Sequence, residues 1–414
     1  MTRTRSDRGA IVCSSLASVD SGSAPVRGRA LREVDEISPS AVAWEDGVIT
    51  YAGPADGLSG ADPVRVDGCT VVPGFVDCHT HLPFFGWRAD EFEARLAGRT
   101  YRDQHGEGGI GRSARMLAEA SDEEVLAFCR PLAAEMLAHG TTALELKTGY
   151  GLSVDAELRQ ARLARRLAAE LEQTCTVTLL ACHAVPAGME RAAWVELACT
   201  ELIPRAAEEK LVDAVDVYVE DIAFSVEDLE RVAEAAAAAE LALRCHADQL
   251  GQSGAAEAAC RLGARSADHL NHVSDEGVRA LGSSNTTAVL LPASTFALRV
   301  AAPPVGALLD AGAVVALATD FNPGTSAVLS MPEAIAIGCT LYGLSPLEAI
   351  TAVTLNAAWV LGRTNALGSL APGKRADLVV LDADHVRHIP YRPGHNPVRA
   401  AFVEGRLAAG SLES

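Results

Sequence analysis

From about residue 73 to residue 370 the chain repeats one unit, a short, densely apolar segment followed by a longer amphipathic one. The apolar segments begin at Phe75-Val-Asp-Cys-His-Thr-His-Leu82 and recur at Thr141–Lys147, Thr176–Cys182, Ala214–Val219, Leu241–Cys245, Arg265–Asp268, Thr287–Leu291 and Val314–Thr319. Between them lie helical patterns such as Asp122–His139, Val154–Leu171, Val226–Ala239 and Ala255–Leu262. Strands buried on both faces read as continuous apolar runs, and eight of them alternating with helices predict an α/β fold of the (β/α)8 barrel, TIM type. A doubly wound sheet competes, but no Gly-x-Gly-x-x-Gly turn follows the first segment.

The flanks read differently. Ala41–Trp44, Val48–Ala52 and Thr70–Val72 are strand-like pieces broken by Asp46-Gly47 and Asp67-Gly68, a dipeptide that signals hairpins. Ala376–Asp382 and Val398–Val403 have the same texture at the other end, with Glu404-Gly405 behind them. The expected organisation is therefore a barrel over 73–370, with 1–72 and 371–414 forming two parts of one small β-sandwich domain. Residues 1–40 are the least readable part, and the Ser- and Gly-containing stretch Ser18–Ser23 reads as loop or partial disorder.

Bulk properties exclude several classes of function. A formal charge of −19 argues against nucleic acid or an anionic membrane as partner. No apolar run approaches the ~20 residues of a membrane span. Behind Arg3, Arg5 and Arg8 only Ala10–Cys13 is apolar, too little for a signal peptide. The ten cysteines are scattered through apolar runs without a Cys-x-x-Cys, the usage of reduced thiols in a cytoplasmic protein.

In a (β/α)8 barrel the chemistry sits at the carboxyl ends of the strands. Reading those ends in order gives His79 and His81, then Lys147-Thr-Gly-Tyr150, His183, Glu220-Asp221, His246, His269 and Asp320. Side chains at i and i+2 of a strand share a face about 7 Å apart, so His79 and His81 can grip one ion. With His246 and Asp320 they make a nitrogen and oxygen donor set suited to zinc or iron(II), with room for a water. The metal would lower the pKa of that water toward neutrality. Asp320 would ligate weakly and take the proton, and His269 would polarise a substrate carbonyl.

These residues, with Pro73-Gly-Phe-Val-Asp-x-His-Thr-His81 before them, resemble the metal-dependent amidohydrolase superfamily. The finer motifs are similar to those of the imidazolonepropionase family over about residue 71 to the end. They are Arg88-x-Asp-Glu-Phe92, Lys147-Thr-Gly-Tyr-Gly-Leu152, Cys182-His-Ala-Val-Pro186, His246-Ala-Asp-Gln249, Ser266-Ala-Asp-His-Leu270, Ala318-Thr-Asp-Phe-Asn-Pro-Gly324 and Gly368–Lys374. The resemblance implies hydrolysis of the ring amide of 4-imidazolone-5-propanoate to N-formimidoyl-L-glutamate, by a homodimer with one metal per chain. It also implies that Arg88, Tyr150, His183 and Gln249 bind the small-molecule substrate, and that Asn322, Gly324 and Thr325 contact the ring or the opening product. An Arg fork suits the propionate. Lys147 is expected not to form a bridging carbamate, since it stands on the second strand rather than the fourth. Gln249 occupies the place where many superfamily deaminases have a proton-shuttling Glu, which leaves proton transfer to Asp320, His269 or solvent.

Glu107–Arg115 and Leu291–Arg299 follow the family pattern loosely, and Arg392 stands where a His is usual after Pro-Tyr. A related hydrolase of another small nitrogen heterocycle is the alternative. A metal-binding protein without catalysis would be expected to have lost part of a donor set that is intact here.

Overall fold

A computed structural model describes residues 8–19, 22–60, 62–104 and 108–413. Arg3, Arg5, Glu107, and Asp20 and Ser21 within the Ser18–Ser23 stretch lie outside the described residues. Among the described residues, sixteen strands follow in chain order. They are Arg8–Ser18 (β1), Asp35–Ile37 (β2), Ser40–Glu45 (β3), Val48–Pro54 (β4), Val64–Pro73 (β5), Phe75–Asp77 (β6), Thr141–Lys147 (β7) and Thr174–Cys182 (β8). Then come Ala214–Val219 (β9), Ala242–Ala247 (β10), Ser266–His269 (β11), Thr287–Leu290 (β12), Val314–Leu317 (β13), Leu378–Leu381 (β14), Val398–Val403 (β15) and Arg406–Gly410 (β16).

Strands β6 to β13 pair in parallel, each with its sequence neighbour, and make the eight-stranded barrel. The ring is completed where β13 ends and β6 ends: Asp320 N donates to His79 O (3.0 Å) and His81 N to Phe321 O (2.9 Å). Beneath that seam the buried Asp77 accepts from Thr319 N (3.1 Å) and Thr319 Oγ1 (2.5 Å). Barrel closure and the assembly of the histidine–aspartate cluster are thus one event.

The other strands form one mixed sheet in the order β16-β15-β14-β5-β1-β3-β4, with β2 on β1. Both chain ends meet in it, since β14 pairs with β5. It has its own core, in which Trp44 meets Phe402 edge-on at 5.5 Å. Asp46-Gly47 forms the expected two-residue hairpin with both residues at positive φ (51° and 78°). Asp67-Gly68 does not: it lies inside β5, where the pairing with β1 shifts register, so the dipeptide marks a bulge rather than a turn.

The least readable segment, residues 1–40, contains β1, an eleven-residue strand between β3 and β5. Its Ala10–Cys13 run is buried throughout, but Ile11 and Val12 are its only β-branched residues, and Gly, Ala and Ser make up much of the rest. Burial on both faces removes the alternation that reveals a strand. Part of the N-terminal segment also leaves the sheet for the barrel: Gly28 N donates to Ala313 O (2.9 Å), and Asn356 bonds Val26 through both its amide atoms (2.9 Å each).

Candidate active site

The side chains of His79, His81, His246, His269 and Asp320 all reach the carboxyl end of the barrel and are buried. The ligand atoms of His79, His81 and His246 lie within 4.8 Å of one another, as do those of His79, His269 and Asp320. Asp320 Oδ1 stands 3.2 Å from His81 Nε2 and 3.5 Å from His79 Nε2. The backbone is strained here: Asp320 has φ 56° and His269 φ 80°, a region that non-glycine residues occupy at some cost and chiefly at functional sites.

Behind the cluster each of two imidazoles is oriented by a carboxylate. His79 Nδ1 donates to Asp268 Oδ2 (2.6 Å) and His246 Nδ1 to Asp216 Oδ1 (3.1 Å). That leaves His79 Nε2 and His246 Nε2 buried with no hydrogen-bond partner, and Asp320 Oδ2 is orphaned beside them. Burying such atoms unpaired is costly, and carboxylate-backed imidazoles with free Nε2 atoms are the arrangement in which metal-ligating histidines occur. The residues therefore fit a divalent metal held by His79, His81, His246 and Asp320. Burial and the neighbouring cations hold His79 and His81 well below the usual histidine range, and burial pulls His269 down to about 3, so each ring is neutral, with one lone pair and one N–H.

Lys147 lies under the cluster, its Nζ 2.7 Å from Asp216 Oδ2 and 2.9 Å from Glu145 Oε2. Arg244 bridges Glu145 from the other side, with Nη1 2.5 Å from Oε1. Burial pushes Asp216 up, but His246 and Lys147 against it outweigh that, and its net shift is downward. It stays ionised, oriented toward His246.

The cavity above is walled by Arg88, Tyr150, His183, Gln249, Asn322 and Thr325, and by Tyr101, Ile110 and Tyr218, which the sequence motifs did not single out. Arg88 is buried, with Nε on Glu91 Oε2 (3.1 Å) and Nη1 on Gly109 O (2.7 Å) and Ser113 Oγ (3.1 Å). Gly324 does not line the cavity but makes room for it: a Cβ there would fall 1.9 Å from Arg88 Nη2. Its carbonyl takes Arg95 Nη2 (2.7 Å). Asn322 is largely committed to its own loop, donating to Asp320 O (2.6 Å) and accepting from Gly324 N (2.8 Å) and Thr325 N (2.7 Å).

The Lys147–Leu152 loop is pinned from the helix Val154–Glu170. Glu157 accepts from the backbone N–H of Gly149, Gly151 and Leu152 (2.9, 2.7 and 3.0 Å), and Gln160 from that of Tyr150 (2.9 Å). Gly149, at φ 112°, lets His183 pack onto it, and His183 Nδ1 donates to Gly149 O (2.9 Å). Burial keeps that ring neutral, so its Nε2 is an acceptor. The loop carrying Gln249 is held by two buried acids: Glu220 accepts from Leu250 N (2.7 Å), and Asp248 from Ser253 N (2.7 Å) and Ala256 N (3.2 Å). None of Glu157, Asp216 or Glu220 was assigned a role from sequence, although Glu157 opens a helix, Asp216 interrupts the apolar run of β9 and Glu220 follows it.

Comparison with known proteins agrees with this geometry. The Amidohydrolase family matches residues 70–408. The imidazolonepropionase of Rubrobacter xylanophilus is 45% identical over 395 residues, 93% of this chain and 95% of that protein. That of Methylobacterium nodulans is 41% identical over 376 residues, 89% and 94% of the two chains. Among solved structures, an adenosine deaminase from Xanthomonas campestris with bound zinc superposes with a TM-score of 0.72 at 20% identity, over 96% of this chain and 92% of that one. The Aspergillus niger ochratoxinase does so at 0.70 and 18%, over 98% and 96%. These share the fold. On the family match and the identity to its relatives, the chain belongs to the amidohydrolase family and, within it, to the imidazolonepropionase family.

Proposed function

We propose that this protein is an imidazolonepropionase, hydrolysing the ring amide C–N bond of 4-imidazolone-5-propanoate to N-formimidoyl-L-glutamate. The observation that carries the reading is the pairing of a carboxylate-backed histidine–aspartate cluster with a buried arginine across one small cavity. A divalent metal held by His79, His81, His246 and Asp320, zinc or iron by its nitrogen and oxygen donors, supplies Lewis acidity and lowers the pKa of a water.

The chain's own residues do the rest. Arg88 faces the propionate, and its fixed guanidinium sets the orientation of the ring. Asp320, raised above the ordinary carboxylate range by burial, takes the proton of the attacking water. The same proton goes to the ring nitrogen as the C–N bond breaks, so Asp320 ends as it began. His269, neutral and against Asp320, donates its N–H to the carbonyl oxygen as charge develops there. His183 Nε2 accepts a ring N–H, and Tyr150 and Gln249 complete the wall, while the Asn322–Thr325 turn fixes Asp320 through its carbonyl.

Cytoplasmic histidine degradation by a homodimer is part of the proposal; ten cysteines, all free, support the reducing compartment. No helix among the described residues is long and apolar enough to cross a membrane. The test is turnover of freshly generated 4-imidazolone-5-propanoate by the metal-loaded protein, followed as loss of ring absorbance. Turnover that disappears in Asp320→Ala supports both reaction and site. A protein that carries one metal per chain and leaves this substrate untouched would sink the reading.

A further inference from the structure

Strand β9 sends Asp216 and Tyr218 to the same face, two residues apart, into the barrel. Asp216 anchors His246, and in the ladder between β9 and β10 Tyr218 is the direct partner of His246. The two rings stand edge to face, 5.9 Å between centroids. Tyr218 is 2% exposed, lines the substrate cavity, and its hydroxyl is buried with no hydrogen-bond partner among the described residues.

A phenylalanine would pack against His246 equally well without a phenolic O–H to strip of water, and an unpaired buried hydroxyl costs stability. The hydroxyl therefore calls for a partner that the described residues do not supply. Its position says which part of a substrate that is. Arg88 is fixed at the far wall by Glu91, Gly109 and Ser113 and faces a carboxylate. The ring, whose carbonyl carbon must reach Asp320 beside His246, then lies against Tyr218.

Resting on the reading of the reaction above, we propose that the Tyr218 hydroxyl hydrogen-bonds a ring nitrogen of the bound heterocycle and so contributes to the enzyme's selection of nitrogen rings. Burial holds the phenol well above its ordinary pKa, so it stays protonated and able to donate or accept. The bond is present in ground state and transition state alike, because the nitrogen it meets is not the one that departs.

The test is Tyr218→Phe in the metal-loaded full-length enzyme. KM for 4-imidazolone-5-propanoate rises about 10-fold with kcat little changed, the pattern of a lost uniform binding contact. The metal-free variant melts no lower than the parent, since only an unpaired hydroxyl is removed. Affinity for the unreactive 3-(imidazol-4-yl)propanoate falls about 10-fold, whereas 3-(cyclopent-1-enyl)propanoate, which lacks ring nitrogen, binds parent and variant equally. A KM within twofold of the parent overturns the proposal, as does equal weakening of both analogues, which would mean a packing role. A parent enzyme that does not turn the substrate over is a different failure, that of the reaction itself.

Discussion

At the scale of single residues, the site depends on groups that never touch substrate. Asp268 holds His79 by Nδ1, and burial pushes its own carboxyl up to about 7, so its hydrogen bond is made in a desolvated setting. Asp268→Asn keeps the shape but can present an N–H to Nδ1, which favours the wrong tautomer at Nε2. The expected outcome is a loss of metal affinity of about 10–100-fold, read by competition with a chelator, with little change in the far-ultraviolet spectrum. Gly324→Ala acts on the other wall: a methyl group 1.9 Å from Arg88 Nη2 cannot be accommodated without moving the guanidinium. KM should rise roughly 10-fold or more, with a smaller effect on kcat, because the propionate clamp is displaced and the metal cluster is not. Steady-state kinetics separate the two. That His79, His81, His246 and Asp320 would gather at one place was legible in the sequence, because a residue at the end of an apolar run has a fixed place in a barrel. Asp268 and Asp216 were not assigned as their supports, because which carboxylate faces which ring is decided across neighbouring strands.

At the scale of elements, the eight barrel strands were readable for the same reason that β1 was not. Doubly buried strands of Val, Leu and Ala stand out between amphipathic helices, whereas in β1 the short apolar run is diluted by Gly, Ala and Ser. The segment after β6 was equally opaque. Helices Ala89–Leu96, Tyr101–Gln104 and Gly109–Glu119 are short, and they deliver Tyr101 and Ile110 to the cavity by tertiary packing alone. The loop after β10 illustrates how an element is fixed by titratable groups. Burial pushes Glu220 up to about 7, although its hydrogen bonds from the Leu250 and Gln249 N–H groups favour the charged form. A carboxyl with its folded pKa above the unfolded value of ~4.3 gives stability that is complete below that value and is lost as pH rises through about 7. Glu220→Gln is neutral and still accepts from Leu250 N–H. The variant should therefore lose less stability than the parent between pH 5 and 8, by about 1–3 kcal/mol, in denaturant titrations at the two pH values. Identical pH dependence would mean that Glu220 titrates normally.

At the scale of the whole molecule, the mixed sheet and the barrel are joined directly at Gly74. Strand β5 ends at Pro73 in the mixed sheet, and β6 begins at Phe75 in the barrel, with Gly74 N donating to Asp377 O (2.9 Å) at the junction. The sheet therefore holds β6, the strand that leads into His79 and His81, by its lower end, while the seam of His79, His81, Asp320 and Phe321 holds it by its upper end. The kinship of the two flanks was visible in their hairpin dipeptides, but not the order in which they interleave, since β5 takes β1 on one side and, from across the whole barrel sequence, β14 on the other. Trp44 separates the roles of the two parts. It is buried in the sheet's core against Phe402 and has no contact with the cavity. Trp44→Ala should cost about 3–5 kcal/mol of stability, the ordinary cost of emptying a large aromatic site. Below its melting temperature the variant should keep the parent's kcat/KM and bind the same one metal per chain, because the closure bonds around Asp320 belong to the barrel. If kcat/KM fell in step with the sheet's stability in protein that was still folded by circular dichroism, the sheet would be setting the geometry of His79 through Gly74, and the two structures would have to be treated as one mechanical unit.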